Sequence, residues 1–180
     1  ALAGAALAVN GISIDPSRTL YSARQLGMGG AAIGFANDAN GIFANPSSLT
    51  GFEFPQMTAT SRKLMLDETQ YSLLGWVCPT VYGTFGIGYV GMGSGGSLPT
   101  MLDGATGRII QDPSMEASSY SNSVIAFSYS RDTVIREQNV SLGGSLKFFS
   151  QALSGGGASD TGTGMGIDLS ANYRPLAWLK

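Results

Sequence analysis

The sequence contains no histidine and a single cysteine, Cys78. Without histidine, the usual zinc sites and every Ser-His or Cys-His nucleophile pair are missing a component. One cysteine excludes an intrachain disulfide. Charge is also scarce: Asp, Glu, Lys and Arg make up 12% of the chain, about half the share of an ordinary soluble domain. The net charge of -2 leaves no basic surface for nucleic acid. No continuous apolar run reaches the length of a membrane helix, although 43% of the residues are hydrophobic. The chain, at 180 residues, is long enough for one domain with a sizeable core. A surface so poor in charge is expected to face other subunits or lipid rather than water.

What is present instead is glycine, 26 residues of it, and period-two alternation. The opening "ALAGAALAVN" reads as the end of a secretory signal, with Ala6-Leu7-Ala8 fitting the small-x-small rule and cleavage expected before Val9. Residues 9–54 are rich in glycine and small residues. From about Pro55 onward the pattern changes to alternation. In "NVSLGGSLKFFS", Val140, Leu142, Leu146 and Phe148 share one face, and Ser141, Gly143, Ser145 and Lys147 the other. In "TGMGIDLSANYRP", Met165, Ile167, Leu169, Ala171 and Tyr173 lie opposite Gly164, Gly166, Asp168, Ser170, Asn172 and Arg174. Ile125, Phe127 and Tyr129 alternate with Val124, Ala126, Ser128 and Ser130, and Phe85, Ile87 and Tyr89 with Thr84, Gly86 and Gly88. "PQMTATSRKLM" and "TQYSLLGWV" alternate less cleanly but have the length and bounds of strands, which predicts about six strands of roughly 9 to 12 residues. No segment competes as a helix: residues 22 to 34 hold too many glycines for a stable one.

The connections predict short turns at Pro79 and Asp132 on one rim, with long loops at 94–117 and around "QALSGGGASDTG" on the other. Short turns on one side and long loops on the other are the habit of outer-membrane barrels, in which apolar residues face lipid and polar residues the lumen. The expected fold class is therefore all-β: an antiparallel transmembrane β-barrel of outer-membrane type. A soluble β-sandwich, which would reverse the two faces, is the alternative that alternation alone leaves open. Barrels close with at least eight strands, so about six strands, with none after "NYRPLAWLK", predict that this chain is an N-terminal part of the barrel.

The glycine-rich stretch "LGMGGAAIGFANDANGIFANPSSL" fits G-x-G-x-x-G/A through Gly27, Gly29 and Ala32. A dinucleotide loop, however, needs a strand before it and a helix after it, and "SARQ" and "FANDANG" supply neither. Together with its flanks, the stretch resembles the N-terminal hatch of the FadL-like outer-membrane proteins, in particular the PorV/PorQ-like branch linked to type IX secretion. Ala23, Arg24, Leu26, Gly27, Met28, Gly29, Gly30 and Ala31 match the first run of that hatch, and Asp38, Ala39, Asn40, Asn45, Pro46 and Leu49 the second. Asn37 stands where the family often has the first of two aspartates. The resemblance runs from about Tyr21 to Lys180 and implies a barrel of about fourteen strands with an N-terminal lumenal hatch, here residues 9–54, followed by strands over residues 55–180.

On that reading Gly27, Gly29 and Gly30 allow positive φ in a crowded lumen. Asp38, Asn40 and Asn45 make Asx-type turns, and Pro46 fixes the exit toward the first strand. Lys147, Asp168 and Arg174 are expected to form a lumenal charge ladder that either holds the hatch or tunes what passes, with hatch support favoured because buried charges pair. Arg24 is carried over with the motif. Trp76 and Trp178 suit an aromatic girdle, and Cys78 is a small packed residue. Ser145 and Lys147 share a strand face, but nothing supplies an oxyanion site. Gly91, Gly93 and Gly96 mark a strand opening into a loop, and Asp67, Glu68, Asp103, Asp112 and Glu116 lack calcium-loop spacing. No catalytic residue, cofactor or metal is expected.

The resemblance thus implies a non-enzymatic, multi-pass protein of the bacterial outer membrane. Its partners would be outer-membrane lipid and, in the PorV-like case, secreted proteins received by their C-terminal signal domains. The alternative is a FadL-like transporter of hydrophobic small molecules such as long-chain fatty acids.

Overall fold

The computed structural model describes residues 16–19, 24, 27–28, 38–63, 69–97, 100–102, 107–111, 117–135, 138–155 and 158–173. Alternation becomes a meander of antiparallel strands: β1 (Gln56–Lys63), β2 (Gln70–Thr80), β3 (Gly83–Ser97), β6 (Ser118–Ile135), β7 (Gln138–Gly155) and β8 (Ala158–Tyr173) form one six-stranded sheet in that order. β4 (Thr100–Leu102) and β5 (Ile109–Gln111) form a separate two-stranded ribbon within the long connection between β3 and β6. Each neighbouring pair in the sheet is adjacent in sequence order, apart from that insertion. This is the simplest topology a chain of alternating segments can adopt.

The strands reach further than the alternation predicts, up to 18 residues in β6 and in β7. Pro79 is not in a turn: it pairs with Thr84 inside the β2–β3 ladder. The turn lies at Val81 and Tyr82 and is closed by the Thr80 hydroxyl, which donates to the Gly83 carbonyl at 2.6 Å. Gly83 has φ +142, and a Cβ there would stand 2.6 Å from the Ser130 carbonyl oxygen, so the tight turn depends on glycine. Asp132 is likewise a strand residue, paired with Ser141. The second long loop expected around "QALSGGGASDTG" is also strand, since β7 continues to Gly155 and β8 begins at Ala158. Small polar residues have weak strand preference of their own, but a neighbouring ladder supplies the partners that keep them extended.

The register places whole rows of side chains on each face. Outward lie Leu74, Tyr89, Ile125, Phe148 and Met165 in one row, and Trp76, Ile87, Phe127, Leu146 and Ile167 in the next. The opposite face carries Val77, Gly86, Ser128, Ser145 and Asp168, flanked by Gly75, Gly88, Ala126, Lys147 and Gly166. Residues 38–52 pack against this second, smaller and more polar face. There Ala39, Ile42, Phe43, Leu49 and Phe52 meet Tyr71, Leu73, Val77, Val90 and Ala126 in the one buried hydrophobic cluster among the described residues. Apart from the half-buried Leu146, the two apolar outward rows stay open, from Ile87 at 41% exposure to Ile167 at 69%. The molecule is therefore an all-β protein whose sheet is covered by its own chain on the small-residue face.

Candidate functional site

The segment that covers the sheet is the one singled out by its glycine, asparagine and proline content. Asp38 Oδ1 accepts from the Asn40 N–H at 3.1 Å, an Asx turn that starts the short helix Gly41–Ala44. Asn45 ends that helix in extended conformation, φ -157 and ψ 94. Its Oδ1 accepts from the Ser47 hydroxyl at 2.7 Å, and its carbonyl accepts from the Ser48 hydroxyl at 2.6 Å. Pro46 opens the 3-10 helix Pro46–Gly51, where its fixed φ suits the first helical position and its missing N–H costs no bond. Asp38, Asn45 and Pro46 thus act locally as turn formers. Asn40 does not use its side chain in that way: its Oδ1 is buried without a hydrogen-bond partner.

Docking onto the sheet is carried by serines. The Ser128 and Ser145 hydroxyls lie 2.6 Å apart and reach the Ile42 carbonyl oxygen at 3.2 and 3.3 Å, answering an acceptor that the short helix leaves open. Ser170 Oγ accepts from the Ser47 N–H at 2.9 Å, and the Thr50 hydroxyl donates to Ser141 Oγ at 3.0 Å. Glycines clear the space between. A Cβ on Gly86 would meet Ile42 Cγ1 at 2.8 Å, one on Gly88 would overlap the Phe43 ring, and one on Gly143 would run into the backbone of Pro46 and Ser47. Ile42 and Leu49 are consequently fully buried, each stabilising the docked segment by about 1.5–3 kcal/mol. The docking roles of Ser128, Ser145, Gly86, Gly88 and Gly143 were not assigned from sequence. Their signal was present in the inward phase of five small residues on three adjacent strands.

Lys147 and Asp168 come together as an ion pair of 2.6 Å. Lys147 is only 5% exposed, its stem flanked in register by Ala126 and Gly166, whereas the Asp168 side chain is 47% exposed. The ammonium also donates to the Ser17 hydroxyl at 3.3 Å, which ties the short N-terminal helix Pro16–Thr19 to the same inner face. Arg24 lies apart and exposed, its carbonyl accepting from the Met28 N–H at 3.1 Å. Gly27 differs from expectation: it is helical and exposed, with open space where a Cβ would lie, so neither positive φ nor crowding calls for glycine there. Gly29, Gly30 and Arg174 lie outside the described residues, as do Trp178, the signal remnant at residues 1–8, and the loop carboxylates Asp67, Glu68, Asp103, Asp112 and Glu116. Ser145 is engaged with Ser128 and Ile42, and Lys147, on the same strand face, with Asp168 and Ser17.

A second surface stands at the other end of the strands. The β4–β5 ribbon pairs Met101 with Ile110, and Met101, Ile109 and Ile110 are all exposed, Ile109 at 75%. Comparison of the chain with protein-family models, curated proteins and solved structures finds no match. The reading of these surfaces rests on the geometry and on the hatch-like motif.

Proposed function

We propose that this chain belongs to an outer-membrane β-barrel of the PorV-like kind, with residues 9–54 as a lumenal plug, and that it serves protein secretion as a non-enzymatic partner. The observation that carries the barrel reading is the facing of the sheet. The covered face carries one apolar cluster, Tyr71, Leu73, Val77, Val90 and Ala126, set among Ser, Gly, Thr and Lys147, whereas the uncovered face carries the larger exposed rows of Leu, Ile, Phe, Tyr and Trp. A water-soluble sheet gains stability by covering its apolar face. The reverse arrangement suits hydrocarbon outside and polar contacts inside. In this reading β1, β2, β3, β6, β7 and β8 form one side of the wall.

Two features favour a secretion role over small-molecule transport. Among the described residues, Ile42, Phe43 and Leu49 pack against the inner face, the cleft between Thr50, Phe52, Thr84 and Ser130 is small and mostly polar, and the clefts lined by Phe85, Phe127 and Ile167 or by Ile125, Phe148 and Met165 belong to the outward face. The long connection, in turn, presents the apolar β4–β5 ribbon, a surface suited to a protein partner. Affinity purification of the full-length protein from outer membranes, with proteins and lipids identified in the eluate, tests the reading. Secreted proteins sharing a C-terminal domain are expected; bound fatty acid alone would overturn it in favour of a transporter.

A further inference from the structure

The outward face is not uniformly filled. In the row Cys78, Phe85, Tyr129, Gly144 and Leu169, Gly144 contributes no side chain between Tyr129 and Leu169, and a trough opens there. One part of it, about 400 Å³, is lined by Phe85, Phe127, Leu146 and Ile167. A second part, about 750 Å³, is lined by Arg131, Val134, Leu142 and Leu169, and the two meet at Tyr129 and Gly144. The aromatic wall is held in place: the Phe85 and Tyr129 rings lie 5.0 Å apart, and the Tyr129 hydroxyl donates to the Tyr82 carbonyl at 2.7 Å. Arg131 stands at the end of the trough nearest the Val81–Tyr82 turn. It is exposed and has no ion-pair partner among the described residues. The adjacent carboxylate, Asp132, accepts from Ser141 Oγ at 2.6 Å, and neighbouring strand residues point to opposite faces.

We propose that this trough binds an anionic phospholipid, with Arg131 holding the phosphate and the start of an acyl chain lying over Gly144 toward Phe127. The inference rests on the membrane reading above and adds to it a headgroup-selective site. Its dimensions suit the headgroup end of such a lipid: from Arg131 to Phe127, which lines the far part of the trough, the strand rises about 13 Å. A guanidinium matches phosphate through two parallel N–H donors. An arginine beside apolar surface keeps its stem on that surface and its charge at the headgroup level.

The test uses the full-length protein reconstituted in vesicles of equal parts phosphatidylcholine and phosphatidylglycerol, extracted gently and examined for retained lipid by native mass spectrometry. Wild-type protein should retain phosphatidylglycerol over phosphatidylcholine by roughly fivefold, the effect of one basic residue near an anionic surface. Arg131→Gln should abolish the preference while lipid is still retained, and Arg131→Lys should keep part of it. Gly144→Leu should reduce retention of both lipids by filling the trough. That substitution fits, because a Cβ there meets Leu169 Cδ2 at 3.4 Å and the Asp168 carbonyl oxygen at 3.5 Å, both ordinary contact distances. Vesicle flotation separates the two ideas. Protein that inserts but retains both lipids equally overturns the site alone, whereas protein that fails to insert overturns the membrane reading and the site with it.

Discussion

At the scale of single residues, the docked segment depends on side chains that are absent as much as on those present. A methyl group at Gly143 would collide with the backbone of Pro46 and Ser47, and backbone cannot turn aside as a side-chain tip can. Gly143→Ala should therefore destabilise by about 1–3 kcal/mol and expose residues 38–52 to protease. Gly162→Ala, with nothing within 4 Å of its new Cβ, should be near neutral in the same equilibrium unfolding and limited proteolysis assays. The Lys147–Asp168 pair should respond unequally. Asp168→Asn leaves a buried ammonium with little beyond the Ser17 hydroxyl, and should cost about 2 kcal/mol or more, short of a fully buried pair because Asp168 is half exposed. Lys147→Met leaves a carboxylate that water can reach, and should cost less. Equal losses in unfolding experiments would show that the pair is not buried in this asymmetric way. Residue roles were legible in sequence where chemistry is local, as in the Asx turn at Asp38 and the helix start at Pro46. They were not legible where a partner arrives from far along the chain, as with Ser145 and Ile42, 103 residues apart.

At the scale of elements, β3, β6, β7 and β8 could be read from alternation because each sets a small or polar face against an apolar one, a contrast that survives in a short window, whereas β1 and β2 were legible only from their length and bounds. The strand ends could not be read. "QALSG" carries little strand preference, yet it is held extended by pairing with β6 and β8, an influence no local window contains. The β4–β5 ribbon was missed for another reason: each strand is only 3 residues long, too short for a period to appear. That ribbon is where a functional prediction belongs. Met101, Ile109 and Ile110 are exposed and lie apart from the buried cluster, so replacing all three with serine should leave the unfolding midpoint of the sheet nearly unchanged. The same triple substitution should remove secreted proteins from the affinity eluate. Retained capture would move the partner surface elsewhere and leave the ribbon a structural feature of the loop.

At the scale of the whole molecule, the decisive property is which medium the apolar face meets. The rows through Leu74 and Trp76 carry large apolar side chains across five strands. The next outward row, Ser72, Gly91, Ser123, Ser150 and Thr163, turns small and polar within one step of the pleat. A band with such an edge fits a hydrocarbon slab bounded by headgroups better than a surface simply awaiting a partner. A single lysine can distinguish the two media. At Phe127, in the middle of the second row, Phe127→Lys in a bilayer should cost about 2–4 kcal/mol, falling to about 0–1 for Ser123→Lys nearer the interface. In water Phe127 is exposed and Ser123 half-buried on the same face, surface positions where a substitution usually stays within about 0.5 kcal/mol. The readout is folding of the full-length protein into vesicles, followed by the mobility difference between boiled and unboiled samples. A loss of the folded band for Phe127→Lys, with Ser123→Lys retained, is the depth dependence that only a membrane imposes. Equal folding of the two would place the outward rows in water.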